Sequence, residues 1–167
     1  MLDIGKFTDN YKTRRLSVLD IPEILQLEEG NREYYAMNPS RPNMESVLQS
    51  MDNLPPGKIL DEKYYVGYYE DNRLIAIMDM IEAFPDNDTA FISFFMVRHE
   101  LQGNGIGTTI VDDLFEYLKA HGYSRVDLSW KEWNHRSERF WEGIGFTVNG
   151  IAHGDENYTV KIADKLI

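Results

Sequence analysis

Residues 91–110 read FISFFMVRHELQGNGIGTTI, and the fold turns on this stretch. An apolar run from Phe91 to Val97 stops at Arg98-His99-Glu100. A glycine-spaced loop follows, Gln102-Gly103-Asn104-Gly105-Ile106-Gly107. Beyond it Ile110, Val111, Leu114, Phe115 and Leu118 recur at helical spacing. Strand, glycine loop and helix start, in that order, build an anion site. First-turn N–H groups have no partner inside a helix, and the macrodipole adds partial positive charge there. Glycine lets the backbone approach a phosphate with no Cβ in the way.

The spacing decides which loop this is. A nucleotide P-loop requires GxxxxGK followed by Ser or Thr, and no Gly-Lys-Ser/Thr occurs. The dinucleotide fingerprint requires GxGxxG almost directly after its strand. Here the glycines fall as GxGxG, Thr108 stands at the third position, and five residues separate Val97 from Gly103. Asp127 does lie about twenty residues on, as that fingerprint wants, but the loop spacing excludes it. A third pattern, Gln or Arg, then two residues, Gly, one residue, and Gly or Ala, is met by Gln102 to Gly107 without a gap.

A second stretch agrees. Residues 134–146 read NHRSERFWEGIGF. Together the two resemble the pyrophosphate loop and late helix of the GNAT superfamily of N-acetyltransferases, whose late helix commonly reads N-x-x-A-x-x-L-Y-x-x-x-G-F. Asn134, Gly145 and Phe146 match outright, Ser137 and Phe140 conservatively, and Trp141 stands where the Tyr is usual. The resemblance implies an α/β fold with a mixed, mostly antiparallel sheet of six to seven strands flanked by about four helices, as one domain over residues 1–167. It implies acetyl-CoA as cosubstrate and a primary amine as acceptor, attacking directly in a ternary complex because no Cys is present to carry an acetyl group.

The resemblance also implies residue roles. Backbone groups of Gly103, Asn104, Gly105, Ile106, Gly107 and Thr108 would take the pyrophosphate, with Gln102 shaping the loop. Phe95, Met96 and Val97 would pair with the pantetheine amides, where their strand splays from the next one at Arg125–Trp130. Asn134, Phe140 and Trp141 would face the cofactor from the late helix. The loop between the first two helices covers the acceptor, which makes Tyr34, Tyr35 and Met37 substrate-binding candidates. Some relatives place a Glu base five residues before the late-helix Asn, but that position is Ser129, whose hydroxyl is no base. Glu82, with Asp79 near it on the same strand, is the best carboxylate on offer for proton removal. Trp141 cannot surrender a proton near neutral pH as a Tyr could, but its indole N–H could stabilise a thiolate. Ser129 and Trp141 also leave open a second reading, a non-catalytic acyl-CoA-binding module of the same fold.

Composition sets outer bounds. The 167 residues are 43% hydrophobic and 27% charged, with a net charge of −11 and no cysteine. Disulfides, thiolate chemistry and Cys-metal sites are excluded, no metal site is expected, and a cytoplasmic setting is the default. The acidity argues against nucleic acid, and no apolar run approaches the ~20 residues of a membrane span. The charge is uneven, for residues 61–100 hold nine acids against three bases. An acidic field there would attract a cationic acceptor.

The remaining periodicities predict a strand at Thr13–Leu19, then a helix capped by Asp20 and ending at Gly30. A broken stretch to Pro42 and a short helix at Met44–Met51 follow. A hairpin is expected from Tyr64–Tyr69 and Arg73–Phe84, with Leu74, Ala76, Met78 and Met80 on one face and Ile75, Ile77 and Ile81 on the other. Strands are expected at Ala90–Val97 and Arg125–Trp130. A final hairpin, Phe146–Asn149 with Asn157–Ile162, has an exposed edge that would permit a homodimer.

Overall fold

The strands β1 (Lys12–Arg15), β2 (Lys63–Glu70), β3 (Arg73–Ile81), β4 (Thr89–Val97), β5 (Arg125–Lys131), β6 (Thr147–His153) and β7 (Thr159–Leu166) form one sheet. Their spatial order is β1-β2-β3-β4-β5-β7-β6. The computed structural model describes residues 1–38, 40–153 and 158–167. Every neighbouring pair is antiparallel except β4 and β5, which run parallel. Among the described residues five helices flank the sheet: α1 (Ile21–Gly30), α2 (Arg32–Ala36), α3 (Met44–Asp52), α4 (Ile106–Ala120) and α5 (His135–Gly143).

The helices divide between the two faces. Ile24 and Leu27 of α1 and Val47 of α3 pack on Tyr65, Leu74, Ile77 and Met96. On the opposite face Ile110, Val111, Leu114 and Leu118 of α4 and Trp141 of α5 pack on Val66, Met78, Met80, Val126 and Leu128. Central strands β2 and β3 are therefore covered on both sides, which is why their sequences lack a polar face.

Two register shifts matter. Between β2 and β3, Tyr69 pairs with Leu74 and Tyr68 with Ala76, so Ile75 is an extra residue. Leu74 consequently joins Ile77 beneath α1, and Ile75 joins Ala76 and Met78 beneath α4. Strict alternation had put them the other way round, because an inserted residue reverses parity. Between β3 and β4, Asp79 pairs with Phe94 and Met80 with Ile92, so Ser93 is the extra residue. Past it, Phe95 and Val97 face α4 and α5, while Phe94 and Met96 face α1.

Beside that bulge the sheet opens. β4 and β5 pair from Thr89↔Arg125 to Ile92↔Leu128 and no further. Bulges bend and twist a strand, and from Ser93 and Ser129 onward the two strands part.

Elsewhere the elements differ from expectation at their ends. Asp20 does not cap α1. Its carboxylate accepts two hydrogen bonds from Arg14, at 2.9 and 2.6 Å, and the Ser17 N–H at 2.8 Å. Arg14 holds that carboxyl down at about 2. The stretch after Gly30 is not broken, since Arg32–Ala36 form α2. β7 continues to Leu166 although Asp164 and Lys165 spoil its apolar pattern, because it lies between β5 and β6 and is hydrogen-bonded on both sides. The expected strand start at Asn157 lies outside the described residues.

Candidate active site

The gap between β4 and β5 is the floor of a cleft of about 820 Å³, walled by the N-terminus of α4, by α5, by α2 and by the start of β7. Strand parity sorts its lining. Phe95 and Val97 meet Phe140 and Trp141 on the α4 side, whereas Phe94 and Tyr34 belong to the α1 side. Ser129 and Lys131 alternate with the core residues Leu128 and Trp130, so they share the α1 side.

The α4 side is built mainly from backbone. Gly105 is the N-cap of α4 at φ 81°, and no side chain caps the helix. Its first turn also carries no acid, so the free N–H groups and the positive end of the dipole face the cleft unopposed. Gly103 and Gly105 (φ 78° and 81°) have open space where a Cβ would stand. Gly107 is closely surrounded instead: a Cβ there would lie 3.3 Å from the Phe140 ring, which would have to shift by a few tenths of an ångström, and 3.5 Å from Val97 Cγ2. Gln102 fixes the loop to the rest of the fold. Its Nε2 donates to Asn31 Oδ1 (2.6 Å) and to the Val97 carbonyl (2.7 Å), and Asn31 Nδ2 donates to the Leu27 carbonyl at the end of α1 (3.0 Å).

Of the other cofactor candidates, Phe95, Met96, Val97, Thr108, Asn134, Phe140 and Trp141 line the cleft. Asn134 caps α5, its Oδ1 accepting the Ser137 N–H at 3.1 Å. Asn104 and Ile106 are not part of the lining; the Asn104 amide turns back to the carbonyls of Leu101 and Gln102. Trp141 sits edge-on to Phe140 and Phe146, with centroids 4.9 and 5.3 Å away, and is only 6% exposed. The nearby Trp130 indole N–H is buried with no partner among the described residues.

The α1 side is built from side chains. Tyr34 contacts Phe94 and Trp133, at 6.5 and 6.0 Å between centroids, and Met37 lies at the rim. Tyr35 does not line the cleft; it stands edge-on behind Tyr34 at 4.9 Å. Beside Tyr35 lies Glu28, whose carboxyl is pushed up to about 7 by burial against the opposing hydrogen bond from the Tyr35 hydroxyl. Sequence reasoning missed Lys131, Trp133 and Tyr158 here. The available signal was the alternation of β5, which carries the face of Ser129 one step further, to Lys131.

The acids of residues 61–100 are elsewhere: none of the nine lines the cleft. Glu82 lies past Ile81, which pairs with Phe91 at the end where β4 and β5 are still joined. It accepts hydrogen bonds from the hydroxyls of Tyr64 (3.0 Å) and Tyr123 (3.4 Å). Asp79 is buried in an ion pair with Lys63 at 2.7 Å, and Lys63 also donates to the Asn53 carbonyl. Burial raises the Asp79 carboxyl above its usual range, and Lys63 opposes the rise. His99 lines the cleft near the loop.

The family model described as "Acetyltransferase (GNAT) family" matches residues 25–146, a span that runs from α1 through the open strands and the glycine loop to the end of α5. The chain belongs to the GNAT acetyltransferase family. An acetyltransferase from Thermus thermophilus is 16% identical with a TM-score of 0.76, over 94% of this chain and 97% of that one. The PaiA N-acetyltransferase from Thermoplasma acidophilum, solved in complex with coenzyme A, is 19% identical with a TM-score of 0.67, over 95% and 99%. The ribosomal-protein-S18-alanine N-acetyltransferase from Escherichia coli is 14% identical with a TM-score of 0.67, over 94% of both chains. At such identities the likeness is one of fold. No curated protein matches the chain. As a GNAT protein it has acetyl-CoA as its cosubstrate and acetyl transfer as its general chemistry. No helix among the described residues is long and apolar enough to cross a membrane.

Proposed function

We propose that this GNAT protein transfers the acetyl group of acetyl-CoA to a primary amine by direct attack in a ternary complex. The observation that carries the reading is the uncapped, acid-free N-terminus of α4 opening onto the gap between β4 and β5. That end suits a pyrophosphate. Phe95 to Val97 pair with β3 on one edge only, and the edge left open beyond the last β4–β5 pair suits the pantetheine amides, with the Trp130 N–H a spare donor for a carbonyl. The cosubstrate would thus lie on the α4 side, with the amine arriving from the α1 side past Tyr34 and Met37.

In the transfer the amine nitrogen forms a bond to the thioester carbonyl carbon, and the bond from that carbon to sulfur breaks. The ammonium gives one proton to water before attack and a second as the amide forms, and the departing thiolate takes one proton from water, so one proton is released overall. The role of the chain is positioning, which can itself supply several powers of ten. Nothing among the described residues accepts a hydrogen bond from the Trp141 indole, which lines the cleft on the cosubstrate side, so it is the donor we assign to the departing sulfur. Glu82, held by two tyrosines away from the cleft, is assigned a structural role rather than that of base.

Titration with acetyl-CoA, followed by measurement of CoA thiol release across a panel of primary amines, tests the reading. Saturable binding with amine-dependent release is the expected result. Release independent of any amine would overturn it. The second reading, an acyl-CoA-binding module, is favoured by one observation: the only carboxylate lining the cleft among the described residues is Glu33, already paired with Arg136 at 3.1 Å. Binding without release for any amine would establish it instead.

A further inference from the structure

We infer that the acceptor is a free amino acid with an aromatic or large apolar side chain, and that Lys131 receives its carboxylate. The inference rests on the acetyl-transfer reading above and supplies its substrate class. Charge is the first ground. The chain carries 28 acids against 17 bases, yet the cleft holds Lys131, Arg136, His99 and His135 and one carboxylate, Glu33, which Arg136 neutralises. A polyamine entering it would find, among the described residues, only Glu33, which Arg136 already holds.

The setting of Lys131 is the second ground. It lies two residues beyond Ser129 on the α1 side, about 7 Å along the strand from where β4 and β5 part. Its ammonium donates to Asn38 Oδ1 at 3.1 Å and lies 4.5 Å from the centre of the Tyr158 ring and 5.8 Å from that of Trp133. These neighbours orient the charge without neutralising it, and no carboxylate among the described residues comes within ion-pair distance. A half-buried ammonium with only neutral partners attracts an anion more strongly than one exposed to bulk water.

The third ground is the surface between the gap and Lys131. Tyr34, Phe94 and Trp133 present ring faces and edges there, which suit an apolar or aromatic body. Amine at the gap, ring on the aromatic wall and carboxylate at Lys131 describe an amino acid. A peptide N-terminus lacks the nearby carboxylate.

The competing account makes Lys131 a strut that ties Asn38 and Tyr158 to the sheet. Two product-like probes separate them, N-acetyl-L-phenylalanine and N-acetyl-L-phenylalaninamide, titrated into CoA-loaded protein. Tryptophan fluorescence reports binding, since all three tryptophans line the cleft. The acid is expected to bind at least about tenfold tighter than the amide, which corresponds to about 1.4 kcal/mol. Lys131→Met should abolish that difference while leaving amide and acetyl-CoA affinities alone, and Lys131→Arg should retain much of it. Equal binding of acid and amide, binding of neither, or parallel weakening of both in Lys131→Met would overturn the inference. Failure of acetyl-CoA itself to bind would overturn the acetyl-transfer reading instead, so the two failures are distinguishable.

Discussion

On its α4 side the cleft is made of backbone: two glycines with positive φ, an uncapped helix start and a strand edge, all within Phe95–Thr108. On its α1 side it is made of side chains that arrive from α2, β4, β5 and the start of β7. On the proposed reading the first arrangement would bind what every acetyl-CoA molecule shares, and it needs only a short contiguous motif. The second would have to fit one acceptor, and it can be rewritten one side chain at a time without disturbing the loop. A GNAT protein thereby keeps its cosubstrate while its acceptor changes.

The largest expected effect strikes the support beneath the α1 side. Asp79→Ala leaves Lys63 charged and buried without its partner, which costs about 3–5 kcal/mol. Denaturant unfolding should show that loss. An unchanged midpoint would mean that water reaches the pair and that this side is looser than its burial implies.

Next comes the loop. Asp tolerates a left-handed backbone better than most residues, so Gly105→Asp keeps the turn while placing a carboxylate at the anion site. We expect acetyl-CoA affinity to fall about 100-fold, or roughly 2.7 kcal/mol, with thermal stability little altered. A comparable loss of folding stability would show that the loop is structural first.

Glu28 gives a smaller, pH-dependent effect. Its carboxyl is raised from 4.5 to about 7 by burial, so the folded chain binds its proton more tightly than the unfolded chain. The contribution is complete below pH 4.5, declines as pH rises from there and is lost by about pH 7, with a full span of about 3 kcal/mol. Stability curves at pH 5 and pH 8 should differ by about that amount, and Glu28→Gln should flatten the difference. A wild-type curve already flat across that range would place Glu28 in contact with solvent.

The smallest effect separates packing from chemistry at Trp141. Trp141→Phe keeps an aromatic ring against Phe95 and Phe146 but removes the N–H. If the indole stabilises the departing sulfur, kcat falls about fivefold to tenfold, the value of one modest hydrogen bond, while acetyl-CoA affinity is kept. An unchanged kcat would leave Trp141 a packing residue.

The difference between the two sides also explains what the sequence disclosed. The glycine spacing at 103–107 and the run Asn134 to Phe146 were readable because each is contiguous and each encodes a backbone event. The faces of Leu74 and Ile75 were not, because parity reverses at a bulge that no residue type announces. Lys131, Trp133 and Tyr158 escaped because they belong to one site only through the pairing of β5 with β7. Glu82 was drawn into the candidate site by its place at a strand end, which could not say at which end of the sheet the strands open.

The measurement that most directly tests the account is a calorimetric titration of acetyl-CoA into the wild-type chain and into Gly105→Asp. The account requires saturable binding to a single site in the wild type and a loss of about two orders of magnitude in the variant. No binding to the wild type, or equal binding to both, would contradict the assignment of the α4 N-terminus as the cosubstrate site.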